Sequence, residues 1–403
     1  MTLIARIFSV SIVLIVGLLI ILNSFPILAL AASSNELKVS GWIPYWRDAQ
    51  GMSDAKKNIN KLDTINPFVF IAQPDGTIKD MGKLSDSDWK SSIRYAKQKK
   101  VEVIPTVMWS DGVAINAVLS SSTARTAHIN AIYDMVKKGG YDGVDIDYES
   151  KLSTTIDFYS MFLKELKAKL EKKILTCTVE PRTPPESLYK VVPSNLEYAN
   201  DYKAIGEYCD RVEIMAYDQQ RADILLDEAR SGEPYMPLSD IDWVEKVVQL
   251  ALKDIPAEKI MLGVPTYGHH YQVMVAPNWY KEYQRIDSLN MPDSLALAKS
   301  YKVTPGTNKG GEQSFTYFPE TSVFKILTSL PVPVGTQRGY EAASQALLFA
   351  NATGQLVPFD LVWYSDASAV KSKIELAKKY DLRGIALFKI DGQEDATIWK
   401  LFN

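Results

Sequence analysis

The feature that most constrains the fold is a regular alternation of short β-branched runs with amphipathic stretches from Lys38 onward. Alternation of this kind is typical of β-α units built around a parallel sheet. Eight strands are predicted, at Val39–Pro44, Phe68–Ala72, Val101–Val107, Gly143–Asp147, Ile174–Val179, Val212–Ala216, Ile260–Val264 and Gly384–Phe388. Eight parallel strands imply closure into a (β/α)8 TIM barrel, an α/β fold that 403 residues can supply.

Helices are predicted between these strands, because apolar residues recur there at three- and four-residue spacing. They cover Asp86–Gln98, Ala124–Lys138, Thr154–Leu170, Trp243–Leu252 and Ser368–Lys379. Roughly ninety residues separate the last two strands, where a single helix would suffice. A strand-like Ser314–Tyr317 and a helix-like Tyr340–Asn351 lie in this interval. We therefore predict a small α+β insertion subdomain at 272–360, between strands 7 and 8 of a barrel at 36–403.

The N-terminal segment predicts export from the cytoplasm. Arg6 is followed by an almost uncharged run from Ile7 to Leu30, and Ala29-Leu30-Ala31 resembles a signal-peptide cleavage site. We interpret 1–31 as a signal peptide that leaves the protein extracellular or associated with the cell envelope. The apolar run is also long enough to span a bilayer, so an uncleaved N-terminal membrane anchor is the alternative.

Composition bears on two questions: whether the protein binds nucleic acid, and whether disulfides hold the fold together. The chain has 45 Lys plus Arg against 48 Asp plus Glu, with no basic tract, which argues against nucleic acid as a partner. Cys177 and Cys209 are its only cysteines. We interpret both as small core residues, with pairing as the alternative. A monomer is the default expectation.

The most informative segment runs from Asp142 to Glu149, where acidic and apolar residues alternate at the end of the fourth predicted strand. Alternation places Asp145, Asp147 and Glu149 on one face. Successive members lie about 6.6 Å apart, at roughly 3.3 Å per residue, so their carboxyl groups interact. Inward carboxylates at the C-terminal end of a barrel strand cost stability, and TIM barrels carry their catalysts at that end.

Burial and mutual repulsion disfavour the ionisation of all three carboxyl groups, so at least one should hold a proton near neutral pH. A protonated Glu149 could act as a general acid. The alternative is an acidic strand end that faces solvent or binds a cation. Calcium loops, however, arrange their ligands around a glycine-bearing turn. Only His128, His269 and His270 could add imidazole ligands, so we predict neither a metal nor a cofactor.

The segment resembles the signature of glycoside hydrolase family 18, the chitinases and related N-acetylglucosaminidases, which include spore-cortex-lytic members. The signature Asp-Gly-x-Asp-x-Asp-x-Glu is met by Asp142, Gly143, Asp145, Asp147 and Glu149. A second family motif, Met-x-Tyr-Asp, is met by Met215, Ala216, Tyr217 and Asp218. Similarity at Gly41-Trp42, Val264-Pro265, Tyr267-Gly268 and the last strand extends the resemblance over nearly the whole chain after the leader.

The resemblance implies a retaining hydrolase in which the substrate's own acetamido group is the nucleophile. Glu149 would protonate the glycosidic oxygen and later activate water, while Asp147 would orient the acetamido group. Asp145 would hold Asp147 through a shared proton. Tyr217 would donate a hydrogen bond to the acetamido oxygen, and Asp218 would contact the sugar.

Substrate-binding residues are predicted among the side chains near strand ends, because sugar rings stack on aromatic faces. They are Trp42, Tyr45, Trp109, Met215, Asp218, Tyr267 and Phe388. Two positions depart from the family pattern. Phe388 stands where a Trp usually forms the floor beneath the cleaved sugar, and His269 stands where chitinases often have Arg.

Two kinds of function fit these residues. The first is hydrolysis of β-1,4-linked N-acetylglucosamine polymers, either chitin and its oligosaccharides or peptidoglycan glycan, and the sequence does not choose between the two. The alternative is a non-hydrolytic carbohydrate-binding lectin on the same barrel. Such lectins commonly replace the catalytic glutamate, whereas Glu149, Asp147, Asp145 and Tyr217 are all present here.

Overall fold

A closed barrel of eight parallel strands forms the body of the computed structural model, which describes residues 36–402. The strands in chain order are β1 (Lys38–Pro44), β2 (Thr64–Ala72), β3 (Ile78–Asp80), β4 (Glu102–Val103), β5 (Thr106–Trp109), β6 (Gly143–Tyr148), β7 (Ile174–Val179), β8 (Arg211–Ile214), β9 (Ile260–Pro265), β10 (Tyr267–Ala276), β11 (Trp279–Asn290), β12 (Gly306–Thr307), β13 (Gln313–Tyr317), β14 (Val357–Tyr364) and β15 (Gly384–Phe388). The barrel follows the order β1-β2-β5-β6-β7-β8-β9-β15, and β15 pairs with β1. The predicted TIM barrel is confirmed.

Helices connect the barrel strands and cover their outer face. Their bounds are Asp48–Lys57, Ser87–Gln98, Gly112–Ser120, Ser122–Gly139, Ile156–Leu170, Pro185–Leu188, Tyr202–Tyr208, Ile224–Ala229, Ile241–Ala251, Met291–Ser300, Glu341–Thr353 and Ala367–Lys379. Capping residues set several of these bounds. Asp111 and Asp366 accept hydrogen bonds from backbone amides three residues later, at 3.0 and 2.9 Å. Gly140 ends another helix with a φ of 61°, which glycine adopts without steric cost.

Each barrel strand alternates between two different environments. Residues such as Val107, Ile146, Ile214 and Leu262 face outward and are buried with the helices in the main apolar core. The residues between them face the barrel interior, where several are polar. Because of this two-residue period, the outward residues of each strand bury apolar surface and stabilise the fold, whereas the inward residues carry the carboxyl groups.

Two cysteines interpreted as unpaired core residues are in fact joined. Cys177 on β7 and Cys209, which follows the helix Tyr202–Tyr208, are both fully buried and form a disulfide with their Cα atoms 6.0 Å apart. The alternation of side chains along β7 points Cys177 outward, and the helix Tyr202–Tyr208 ends beside it, which brings Cys209 within bonding distance. The tertiary contact that brings the two together spans 32 residues, and spacing in the sequence does not reveal it.

A second sheet lies between the seventh and eighth barrel strands, as the predicted fold requires. Its five strands pair in the order β11-β10-β14-β13-β12, and all the pairings are antiparallel. The helix Glu341–Thr353 packs on it through Ala343 and Ala346 against Val273 and Phe359. The first strand of this sheet begins at Tyr267, two residues after the barrel strand β9 ends at Pro265, and β14 ends at Tyr364.

The predicted leader at 1–31 lies outside the residues that the structure describes. Across 36–402, no helix has the length and apolar character needed to cross a membrane.

Candidate active site

The acidic segment forms β6 and the residue after it. Asp145 and Asp147 point into the barrel and are 0% and 3% exposed, whereas Ile146 and Tyr148 point outward into the core. Glu149 follows the last residue of the strand and is half-buried. The three carboxyl groups therefore form the row that the alternation predicted, rising from the barrel interior to its C-terminal mouth.

Three donors surround Asp145 at the deep end of this row. Its Oδ2 accepts hydrogen bonds from Thr106 Oγ1 at 2.8 Å and Trp42 Nε1 at 3.3 Å, and its Oδ1 accepts one from Thr178 Oγ1 at 2.8 Å. Burial raises the pKa of Asp145 to about 6, and the three donors counteract that rise. Both oxygens of Asp145 are thus held in place by donors, and the shared proton between Asp145 and Asp147 stays a prediction.

Asp147 also interacts with the carboxyl group of Glu149. Burial raises the pKa of both, and the charge of Glu149 raises that of Asp147 further. The pair therefore retains one proton to a higher pH than an isolated carboxyl group would. The other oxygen of Asp147, Oδ1, is buried with no partner among the described residues.

Tyr217 and Asp218 follow strand β8 at the same mouth. The Tyr217 ring stacks on Phe388 at a centroid distance of 5.5 Å and an interplanar angle of 18°, and it meets Tyr267 edge-on at 6.4 Å. Burial and the charge of Asp147 raise the pKa of Tyr217 well above its ordinary value, so its hydroxyl remains a donor. The second motif therefore supplies a neutral donor beside the carboxyl row.

Asp218 is held by a residue of the second sheet. It adopts a φ of 54°, and its Oδ1 lies 2.7 Å from His269 Nε2. Asp218 is 44% exposed in its side chain, so a carboxylate oxygen remains open to the cleft. Adjacent His270 points the opposite way and contacts Asp360 at 2.8 Å, as expected for neighbours on a strand.

The aromatic floor differs from the prediction at Trp42. Phe388 is half-buried and meets Trp42 at 5.7 Å and Phe68 at 6.3 Å, both edge-on. Trp42 is only 1% exposed and lies beneath Phe388, where its indole nitrogen bonds to Asp145. Trp42 therefore supports the floor and a carboxylate, and the prediction that its ring contacts sugar is wrong for this arrangement.

The environment predicted for Trp109 also differs from that in the structure. It is 2% exposed and packs against His128 at 5.4 Å and Tyr148 at 5.5 Å in the outer core. Strand alternation could have revealed this, since Trp109 shares a face with outward-pointing Val107. The prediction of sugar contact by Trp109 is therefore wrong.

The remaining predicted subsites lie around the mouth. Tyr45 and Met215 are half-buried. Tyr45 meets Trp46 edge-on at 5.0 Å, and Trp46 is 49% exposed and meets Phe68 at 5.8 Å. Trp46 thus offers the open indole face that Trp42 and Trp109 lack.

Three charged residues near the site were missed. Glu213 on β8 is 2% exposed and accepts a hydrogen bond from Ser40 Oγ at 2.8 Å. Burial and the charge of Asp145 raise its pKa to about 8. Its position two residues before Met215 would have placed it inside the barrel by alternation. Lys151 and Glu180 flank Glu149, and no sequence motif marked either of them.

Comparison with known proteins agrees with this geometry. A family model described as "Glycosyl hydrolases family 18" matches residues 41–393. An "Uncharacterized glycosylase YvbX" of Bacillus subtilis (strain 168) is 24% identical over 362 residues, which cover 88% of this chain and 87% of that protein.

Solved structures share the fold. The Bacillus cereus spore cortex-lytic enzyme SleL aligns with a TM-score of 0.66 at 22% identity, covering 91% of this chain and 74% of that one. A class V chitinase from Nicotiana tobaccum in complex with NAG4 aligns with a TM-score of 0.63 at 13% identity, covering 91% and 97%.

Proposed function

Because this chain belongs to glycosyl hydrolase family 18 and is therefore a glycosidase, we propose that it cleaves β-1,4-linked N-acetylglucosamine polymers with retention of configuration. The observation that carries the proposal is the row of carboxyl groups in which Asp147 is buried and Glu149 stands half-buried at the mouth of the barrel, with the hydroxyl donor Tyr217 beside them. A carboxyl group that keeps its proton near neutral pH is what protonation of a leaving group requires.

The proposed reaction uses the substrate's acetamido group as nucleophile. Glu149, at the open end of the carboxyl row, gives its proton to the glycosidic oxygen as the bond to the anomeric carbon breaks. The acetamido carbonyl oxygen attacks that carbon and forms a cyclic intermediate. Glu149, now ionised, then takes a proton from water, which opens the intermediate and restores the original configuration.

Neighbouring groups would stabilise the charge that develops on the acetamido group. Asp147 lies deeper than Glu149 and has a buried oxygen without a partner among the described residues, which is available to the acetamido N–H. Tyr217 would donate to the acetamido oxygen. Phe388 would form the floor beneath the sugar ring, and Asp218 would accept from a sugar hydroxyl.

Relatives support the substrate class without choosing one polymer. The spore cortex-lytic enzyme SleL and the chitinase bound to NAG4 share the fold of this chain. Chitin and peptidoglycan both contain β-1,4-linked N-acetylglucosamine, and an acetamido group precedes the cleaved bond in either. Both polymers lie outside the cytoplasm, in keeping with a protein that we propose is exported through its leader and acts as a monomer.

The deciding experiment measures release of reducing ends from chitin oligomers and from peptidoglycan glycan strands. The protein is compared with Glu149→Gln, which keeps the shape of the side chain and removes its acidic proton. Glu207→Gln is the matched control, because Glu207 is exposed on the helix Tyr202–Tyr208.

We expect turnover of at least one polymer by the protein and by Glu207→Gln. Glu149→Gln should lose about 100-fold or more in rate, the usual contribution of a general acid. Equal rates for Glu149→Gln and the parent protein would refute the assigned acid. Saturable binding of both polymers without turnover would contradict the proposed reaction.

A further inference from the structure

A lysine is buried directly beside the proposed acid. Lys151 follows Glu149 by two residues, and its side chain is 0% exposed. Ser150 between them adopts a φ of 54°, and this turn folds Lys151 back so that its Nζ donates to the carbonyl of Tyr148. The Nζ also lies 4.7 Å from the ring centroid of Tyr159. A buried ammonium is costly unless it is paired.

Its partner is Glu180, the residue after strand β7. Glu180 Oε2 lies 3.6 Å from Lys151 Nζ and accepts a hydrogen bond from Asn200 Nδ2 at 3.0 Å. Its Oε1 accepts one from the backbone amide of Ser150 at 2.7 Å. Glu180 thus ties the turn after Glu149 to the neighbouring strand, and its position is fixed by three separate contacts.

The two charges act on Glu149 in opposite directions. The negative charge of Glu180 raises the pKa of Glu149, and the positive charge of Lys151 lowers it. Lys151 lowers the pKa of Asp147 in the same way. Among the charged groups that act most strongly on Glu149 within residues 36–402, Lys151 is the one cation. The ionisable groups facing Glu149 are Asp147 of β6, Lys151 of the following turn, Glu180 after β7, and Tyr217 and Asp218 after β8.

We propose that Lys151 and Glu180 are positioning residues that set the pH range of the reaction: Lys151 favours release of the Glu149 proton and Glu180 favours its retention. The inference rests on the proposed role of Glu149 as general acid. An opposed pair lets the site keep a proton for the leaving group and still give it up, whereas burial alone would push proton affinity in one direction only.

The test is the pH profile of kcat/KM on the polymer that the protein turns over, recorded for the parent protein, Lys151→Met, Glu180→Gln and the double variant. Methionine keeps the length and apolar stem of lysine, and glutamine keeps an oxygen that can accept from Ser150. Thermal unfolding of each variant checks that it is folded. Glu149→Gln is measured in the same series.

We expect the alkaline limb of Lys151→Met to move to higher pH by about one unit, the scale of a neighbouring charge. The alkaline limb of the Glu180→Gln profile should move to lower pH by a smaller amount, because the Glu180 side chain is 36% exposed and solvent screens its charge. The double variant should lie between them. A purely structural role would lower activity or stability without moving the limbs in opposite directions.

Limbs that coincide with that of the parent protein, or that move in the same direction, overturn the inference. If Lys151→Met does not fold, Glu180→Gln decides alone: a shift to lower pH supports the inference and an unmoved limb overturns it. The failure of the proposed function is separate. An active Glu149→Gln overturns that function, whereas an inactive Glu149→Gln with unmoved limbs overturns only the role of the pair.

Discussion

Replacing Glu213 by Gln should change how the stability of the fold depends on pH. Glu213 is 2% exposed inside the barrel, and burial with the charge of Asp145 raises its pKa to about 8. The ordinary value for glutamate is 4.5. Between these values the folded protein binds a proton that the unfolded chain has released. The stabilisation is thus fully present below the unfolded value and is lost as pH rises through the folded one.

The size of the effect follows from the two pKa values. Within the window a single proton makes the free energy of unfolding fall by about 1.4 kcal/mol per pH unit. Between about pH 5.5 and about pH 7.5, Glu213 therefore costs the protein about 3 kcal/mol. A glutamine side chain at this position cannot ionise, so Glu213→Gln should lack this part of the pH dependence and gain relative stability at the higher pH.

Urea unfolding followed by tryptophan fluorescence measures these free energies at both pH values. Glu207→Gln is the control, because Glu207 is exposed and should leave the pH dependence of the parent protein in place. The reasoning is refuted if Glu213→Gln loses as much stability between the two pH values as the parent protein does. That result would mean that Glu213 is ionised in the folded state throughout.

Two further substitutions test the site and the fold. Tyr217→Phe should lower kcat by about 100-fold or more with little change in KM, since it removes one donor to the developing charge; steady-state kinetics on chitin oligomers measures this, and an unchanged kcat would exclude the hydroxyl from the reaction. Replacing Cys177 and Cys209 by Ala should lower the free energy of unfolding by about 4 kcal/mol for a 32-residue span, which urea unfolding of the oxidised protein against the double variant measures. Equal unfolding midpoints for the two would show that the bridge adds no stability.

The barrel could be predicted because its signals are local. Each strand is a short β-branched run, and the predicted bounds of β7 and β15 agree with the structure at both ends. The carboxyl row could be predicted equally well, since a period of two fixes which residues share a face once the strand is located. The hydrogen bonds that hold Asp145 could not be predicted, because Thr106 and Thr178 reach it from two other strands.

The errors at Trp42 and Trp109 have one physical origin. Both were selected because an aromatic residue near a strand end suits a sugar ring, but a strand end has an inner and an outer side. Trp109 lies outside with Val107, and Trp42 lies inside beneath Phe388. Lys151 and Glu180 were missed for a different reason, because the turn at Ser150 that brings them together follows no helix or strand period.

The barrel interior shows why the site is built this way. TIM barrels are commonly filled by branched aliphatic residues, yet here Asn66, Thr176 and Glu213 have buried side-chain atoms without a hydrogen-bond partner among the described residues. Apolar side chains in the barrel interior would be more stable, but they could not donate hydrogen bonds to Asp145 as Thr106 and Thr178 do. The outer face of the same strands bears the apolar burial, so outer substitutions should change stability at every pH, whereas inner ones should change proton affinity and with it the pH dependence of stability.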